Sequence, residues 1–118
     1  MSDLLAVVQE FCKKAMTISE VREILGEFNQ KFIFHCKDAD PFYLKVERGG
    51  LSVHAGDLEP DLYEVFNIET DGETVRELFA GKLRMADAIR TSRLFSDAMS
   101  KRPYLSYLGR MIRIHHEA

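Results

Sequence analysis

The spacing of apolar residues changes twice along the chain, and this change limits the folds that the sequence can adopt. Up to about residue 29 apolar residues recur at helical spacing, and from about residue 30 to 69 they alternate as in strands. Helical spacing returns after about residue 70, with one short interruption near residue 94. Helices at both ends therefore enclose a block of strands, which predicts an α+β domain with a five-stranded, mainly antiparallel sheet.

Two helices are predicted before the first strand. Residues 3–16 carry an apolar stripe, and residues 18–29 repeat this pattern after a short break. The intervening "TISE" matches a capping box, in which the Thr17 hydroxyl accepts a backbone hydrogen bond and Glu20 reaches back. Thr17 is therefore expected to start the second helix.

A hairpin is predicted in "FYLKVERGGLSVHAG", where apolar residues alternate on both sides of two glycines. Glycine readily adopts positive φ angles, so residues 49–50 are expected to form a two-residue turn. That turn would place Val46 opposite Val53 and Lys45 opposite His54.

The run "LYEVFNIE" predicts a fourth strand inside the sheet, because it is apolar on both sides. Phe66 and Ile68 share one face, and Tyr63 and Val65 share the other. The next four residues, "TDGE", match a second capping box that begins at Thr70.

Three further elements are predicted after the helix that ends at Gly81. A short helix contains Met85, a fifth strand lies near residues 92–96, and a last helix begins close to Pro103. The last helix is apolar on two sides, since Leu105, Leu108 and Ile112 lie apart from Tyr104, Tyr107, Met111 and Ile114. It could cover a ligand, contact a membrane surface, or be an ordinary core helix.

Composition and motifs argue against several classes of function. A net charge of -3 does not suit binding to nucleic acid, and no apolar run reaches the length of a membrane span. The N-terminus lacks the basic start of a signal peptide, so a cytoplasmic protein is predicted. Cys12 and Cys36 form no C-x-x-C pair, which predicts two buried, reduced thiols and no metal or other cofactor.

No catalytic constellation stands out in the sequence. His35 and Cys36 are adjacent on a predicted strand and point to opposite faces, and His54 is expected on the surface. His115 and His116 lie at the end of the last helix, where fraying is expected. We therefore predict that the protein is not an enzyme.

The order of elements over about residues 20–112, and above all the segment "VFNIETDGETVRELFAGKLRMADAIRTSRLFSDAM", resembles the lipid-binding domain of the sterol carrier protein type 2 family. In that family a strand precedes a helix ending in Leu-x-x-Gly-Lys, then a short helix and a further strand. The chain departs from this pattern at Arg90, Ser92 and Ser96. These departures leave the depth of a pocket and the choice of its ligand open. The matching positions are Ile68, Leu78, Phe79, Gly81, Lys82, Ala88, Ile89, Arg93 and Leu94.

A length of 118 residues predicts one domain over residues 1–118. Beside the resemblance, residues 1–16 are an additional N-terminal helix. The resemblance implies a sheet covered by helices and a hydrophobic tunnel for fatty acids, fatty acyl-CoA or other lipids. The chain also contains eight Phe, five Met and four Tyr, more apolar surface than one core requires. The candidate lipid-binding residues are Phe66, Ile68, Phe79, Met85, Ile89, Leu94, Leu105, Leu108 and Met111.

Two alternatives remain open from the sequence. The additional apolar surface could meet a second protein chain in a dimerising interaction module. The chain could also be a small isomerase-like enzyme domain, which would need a buried acid among apolar residues. A lipid carrier could be a monomer or a homodimer, and it could contact membrane surfaces transiently.

Overall fold

One sheet organises the computed structural model, which describes residues 3–56, 65–96 and 102–117. Its strands are β1 (Gln30–Cys36), β2 (Phe42–Glu47), β3 (Gly50–Ala55), β4 (Val65–Thr70) and β5 (Phe95–Ser96). They lie in the order β3-β2-β1-β4-β5, and only the β1–β4 pair among them is parallel. The predicted α+β class with a five-stranded, mainly antiparallel sheet is confirmed.

Helices cover one face of this sheet. They are α1 (Asp3–Ala15), α2 (Ser19–Leu25), α3 (Gly72–Phe79), α4 (Met85–Arg90) and α5 (Arg102–Glu117). α1 contacts β3, α3 and α5, while α2 and α4 also contact α5. The last helix therefore contacts three of the other helices, α1, α2 and α4.

The two faces of the sheet differ in polarity. On the inner face, under the helices, alternate residues such as Phe32 and Phe34 of β1 are buried. On the outer face β4 places Asn67 and Glu69, so the predicted strand with two apolar faces is polar there in its described part. Ile33 of β1 also lies on the outer face, but it is apolar and only 2% exposed.

The register predicted for the hairpin is wrong by two residues. β2 pairs with β3 so that Val46 lies opposite Leu51, Lys45 opposite Ser52, Leu44 opposite Val53 and Tyr43 opposite His54. The turn residues are Arg48 and Gly49, with φ angles of 53° and 77°, and Gly50 belongs to β3. A shift of two leaves each side chain on its predicted face, because side chains alternate with a period of two.

Neither capping box forms as predicted. Thr17 Oγ1 donates to the carbonyl oxygen of Lys14, and the residue before α2 is Ile18, which makes no side-chain cap. At the second site Asp71 is the N-cap of α3 and accepts from Thr74, one residue later than predicted. Thr70 Oγ1 instead donates to the carbonyl oxygen of Arg93, which joins β4 to the segment before β5.

Several boundaries also differ from the prediction. α2 ends at Leu25, shorter than the predicted residues 18–29, although Phe28 beyond it is still buried. β5 is two residues long within the described part of the chain. The side chains of Tyr63, Val65 and Tyr104, to which faces were assigned from the sequence, lie outside the described residues.

Candidate functional site

The nine candidate lipid-binding residues come from five neighbouring parts of the fold. Eight of them are buried members of one hydrophobic cluster, and Ile89 is half-buried and packs against it. We call this group the apolar cluster. It takes Phe66 and Ile68 from β4, Phe79 from α3, Met85 and Ile89 from α4, Leu94 from the segment before β5, and Leu105, Leu108 and Met111 from α5.

Aromatic residues outside the nine candidates belong to the same buried hydrophobic core. Phe11 of α1 meets Phe79 edge-on, with ring centroids 5.1 Å apart, and the ring of Phe34 in β1 lies 6.3 Å from Phe79. Phe32 of β1 lies 5.6 Å from Phe66. The sequence spacing of Phe11, Phe32 and Phe34 is typical of core residues. A single sequence, however, does not reveal that β1 pairs with β4. Any apolar guest at Phe66 or Phe79 would therefore also approach β1 and α1.

The contact between α4 and α5 lies at one side of the apolar cluster. A Cβ atom added to Gly109 would lie only 2.9 Å from Met85 Cβ, so the helices meet where α5 lacks a side chain. Met85 is 8% exposed, whereas Ile89, one turn later on α4, is partly open to solvent. At this contact the cluster approaches the surface.

The described core contains few polar side chains. Its buried polar residues are Gln30, Thr70 and Thr74, none of which ionises near neutral pH. Within the described residues no three metal-ligating side chains come together. What the arrangement offers to a guest is apolar contact.

The two thiols are free, but only Cys12 is fully buried as predicted. Burial raises the pKa of Cys12 to about 12. Cys36 is half-buried, and burial, followed by the carboxylates of Asp38 and Asp71, raises its pKa to about 11. Both thiols therefore remain protonated and poorly nucleophilic near neutral pH.

The end of α5 is held in place, contrary to the fraying that the sequence predicted. His116 Nε2 lies 2.7 Å from the carbonyl oxygen of Phe79. The ring of His115 packs edge-on against Phe11, with ring centroids 5.2 Å apart, and its Nδ1 atom is buried with no hydrogen-bond partner among the described residues. Burial, then the neighbouring His116 and Lys14, lower the pKa of His115.

Two adjoining depressions are lined by residues at the side of the sheet where β1, β4 and β5 meet. One has a volume of about 330 Å³ and is lined by His35, Asn67, Glu69 and Phe95. The other, of about 420 Å³, shares three of these residues. None of the nine candidate residues lines either depression. The residues that the second depression adds are Cys36, Lys37, Thr70, Asp71, Ser92 and Arg93.

Known proteins resemble this chain in structure and not in sequence. No family model matches it, and no curated protein does. Sterol carrier protein 2 superposes with a TM-score of 0.68 at 18% identity, over 96% of this chain and 95% of that one. The UbiJ-SCP2 ubiquinone synthesis protein gives 0.67 at 10% identity, over 100% and 98%. Palmitated SCP2L2 from Aedes aegypti gives 0.50 at 11% identity, over 86% and 92%.

The chain has a sterol carrier protein 2-like fold. This confirms the sheet covered by helices that the resemblance over about residues 20–112 implies. Within this sterol carrier protein 2-like fold, the described helices include none that is both long and apolar enough to span a membrane.

Proposed function

We propose that the protein binds a hydrophobic ligand, such as a fatty acid, a fatty acyl-CoA or another lipid, without catalysing a reaction. The observation that carries this proposal is the collection of nine apolar residues from five parts of the chain into one cluster. The fold adds support, because its solved neighbours include sterol carrier protein 2 and a palmitated protein. We assign the ligand to the apolar cluster.

The hydrophobic effect can supply the affinity for such a ligand. Burying one methylene group contributes about 0.8 kcal/mol, so about eight methylenes contribute roughly 6 kcal/mol before the cost of ordering. The buried polar side chains of the described core are uncharged, so an alkyl chain there would not displace a paired charge. The carboxyl or thioester end of the ligand would have to remain near solvent.

Entry is proposed at the contact between α4 and α5. The eight buried residues are each 8% exposed or less, so a ligand reaches them only if an element moves aside. α4 suits this role because it has only six residues and its N-cap, Arg84, does not cap the helix with its side chain. Ile89, half-buried on α4, would be the first residue that the ligand meets.

Titration with a fluorescent fatty acid tests this proposal, together with mass spectrometry of an organic extract of the purified protein. Ile89→Glu should weaken binding of the probe at least about tenfold, because a carboxylate would have to be desolvated beside the alkyl chain. Ala86→Glu is the matched control, since Ala86 is exposed on the same helix and should leave binding unchanged. Circular dichroism should show that both variants are folded.

A folded Ile89→Glu protein that binds the probe as tightly as the unmodified chain would remove α4 from the site. Absence of both probe binding and extracted lipid would refute lipid binding itself. The isomerase alternative needs a buried acid, and the buried polar residues of the described core include no Asp or Glu. The dimerising alternative predicts a dimer in sedimentation, with no bound lipid.

A further inference from the structure

An exposed aromatic ring and a carboxylate that forms no ion pair within the described part of the chain lie side by side on the outer face of the sheet. Phe95 of β5 is 64% exposed, and among the described residues it is the large apolar side chain left open to solvent. It lies opposite Glu69 of β4, which in turn lies opposite His35 of β1. The three side chains therefore form a row across neighbouring strands, on the face away from the apolar cluster.

The carboxylate of Glu69 is available to a ligand. Glu69 is exposed and forms no ion pair with another described residue. Its neighbour His35 already has another hydrogen-bond partner, since His35 Nε2 lies 3.0 Å from Asn67 Oδ1 and donates to that oxygen. The depression of about 330 Å³ that these residues line with Phe95 thus contains one formal negative charge and one aromatic wall.

This combination suits a cation. The face of an aromatic ring attracts a cation through its quadrupole, and a carboxylate attracts it through its charge. A volume of about 330 Å³ lies within the range of small-molecule sites. We infer that the depression between Phe95 and Glu69 binds an organic ammonium cation, a site separate from the proposed lipid site.

An anion is a poorer fit to the same region. The adjoining depression contains Arg93 and Lys37, but Arg93 forms an ion pair with Glu77. Lys37 lies close enough to Asp71 to lower the pKa of that carboxyl. Arg93 and Lys37 therefore already lie near carboxylates, whereas Glu69 forms no ion pair with another described residue.

Choline and its neutral isostere 3,3-dimethylbutan-1-ol provide the direct test. They have nearly the same shape, so only an electrostatic site distinguishes them. In a titration of the ¹⁵N-labelled chain followed by NMR, choline should cause saturable shifts at the amides of His35, Glu69 and Phe95, with a Kd on the order of millimolar. The neutral alcohol should cause much smaller shifts. Equal responses to both compounds, or no saturable response to choline, would overturn the proposal.

Variants assign the binding to the two side chains. Glu69→Gln and Phe95→Leu should each weaken choline binding about threefold or more, since one removes the charge and the other the aromatic face. Glu47→Gln is the matched control, because Glu47 is an exposed carboxylate of the same sheet that already pairs with Lys45. Unchanged affinity in both Glu69→Gln and Phe95→Leu would refute the site even if choline bound elsewhere.

The ammonium could be free or belong to a lipid headgroup, and sedimentation with vesicles separates these sources. Binding to phosphatidylcholine vesicles that falls in Glu69→Gln identifies a headgroup, whereas binding to free choline alone identifies a soluble cation. Each result supports an ammonium site. Both variants should still bind the fluorescent fatty acid, because neither residue belongs to the apolar cluster. Failure here would therefore leave the proposed lipid site untouched.

Discussion

His116 Nε2 lies 2.7 Å from the carbonyl oxygen of Phe79, so the end of α5 is hydrogen-bonded to the end of α3. The last carbonyl groups of a helix have no partner within the helix, and His116 satisfies this one. Gly81 makes room for the contact, because a Cβ atom there would lie 2.8 Å from the His116 ring. Glycine and imidazole therefore fit each other and hold α5 against α3.

Gly81→Ala should destabilise the protein through two effects that can be separated. Gly81 has a φ of 77°, where a Cβ atom costs about 1–2 kcal/mol, and the clash with the His116 ring adds to this. The same substitution should cost less in a His116→Ala background, which retains the backbone strain but lacks the ring. Urea unfolding of the unmodified chain, the two single variants and the double variant measures this difference in cost. Equal costs in the two backgrounds would show that the ring and the glycine act independently.

His115 should make the stability of the protein depend on pH. Its pKa is lowered from 6.5 in the folded state, chiefly by burial, so the unfolded state binds more protons between the two pKa values. The free energy of unfolding is therefore highest above a pH of about 6.5 and falls as the pH decreases toward the folded pKa. Urea midpoints across this interval should show the decrease.

His115→Phe is the variant that isolates this effect. Phenylalanine can keep the edge-on contact with Phe11 and removes the buried Nδ1 atom that has no described partner. The variant should lose much less stability than the unmodified chain as the pH falls below about 6.5. An unchanged pH dependence would assign the titration to other groups.

Asp71 should contribute to stability as the N-cap of α3. Its carboxylate accepts from the backbone nitrogen and the hydroxyl of Thr74, at 2.8 and 2.9 Å. Burial alone would raise the pKa of Asp71, but these hydrogen bonds, together with the charges of Lys37 and Arg93, outweigh it and lower the pKa below 3.8. The contribution is thus complete above a pH of about 3.8 and is lost as the pH falls through the folded pKa.

Asp71→Ala should reduce the free energy of unfolding by about 1 kcal/mol near neutral pH, and Asp71→Asn by less, because an amide oxygen can still cap the helix. Urea unfolding of the three proteins provides the measurement. If Asp71→Asn were as unstable as Asp71→Ala, the charge of Asp71 and not its capping oxygen would be responsible.

The order and type of the elements could be predicted from the sequence, because hydrophobic spacing alone distinguishes helix from strand. The turn could not be placed, since the chain offers two adjacent glycines and the structure uses Arg48 and Gly49 at positive φ. The N-cap of α3 was predicted one residue too early, because the sequence again offers two neighbouring candidates. Asp71 and Thr70 are both good caps, and pairing of Thr70 with the Arg93 carbonyl, a long-range contact, decides between them.

The candidate site shows the same limit. Helical and strand spacing placed nine apolar residues toward the interior, and the structure brings them together. The row of His35, Glu69 and Phe95 was missed, because it depends on the register of three strands that are distant in sequence. The bond between His116 and Phe79 was missed as well, since it requires the packing of α5 on α3.

Gly109→Ala should destabilise the contact between α4 and α5 even though alanine favours helices. The substitution gains up to about 1 kcal/mol of helix propensity. Against this, the new Cβ atom would lie 2.9 Å from Met85 Cβ, an atom close to the backbone that cannot rotate away. Overpacking of this kind costs about 1–3 kcal/mol, so the net effect on the free energy of unfolding should be a loss.

Ser106→Ala is the control for propensity, because Ser106 is exposed on the same helix and should be neutral or slightly stabilising. Urea unfolding of both variants separates the contact from the propensity of the helix. If Gly109→Ala were as stable as Ser106→Ala, α4 would be free to move away from α5 at little cost. That result would weaken the idea of a closed contact here, but it would favour the entry route proposed for the ligand, which needs α4 to move.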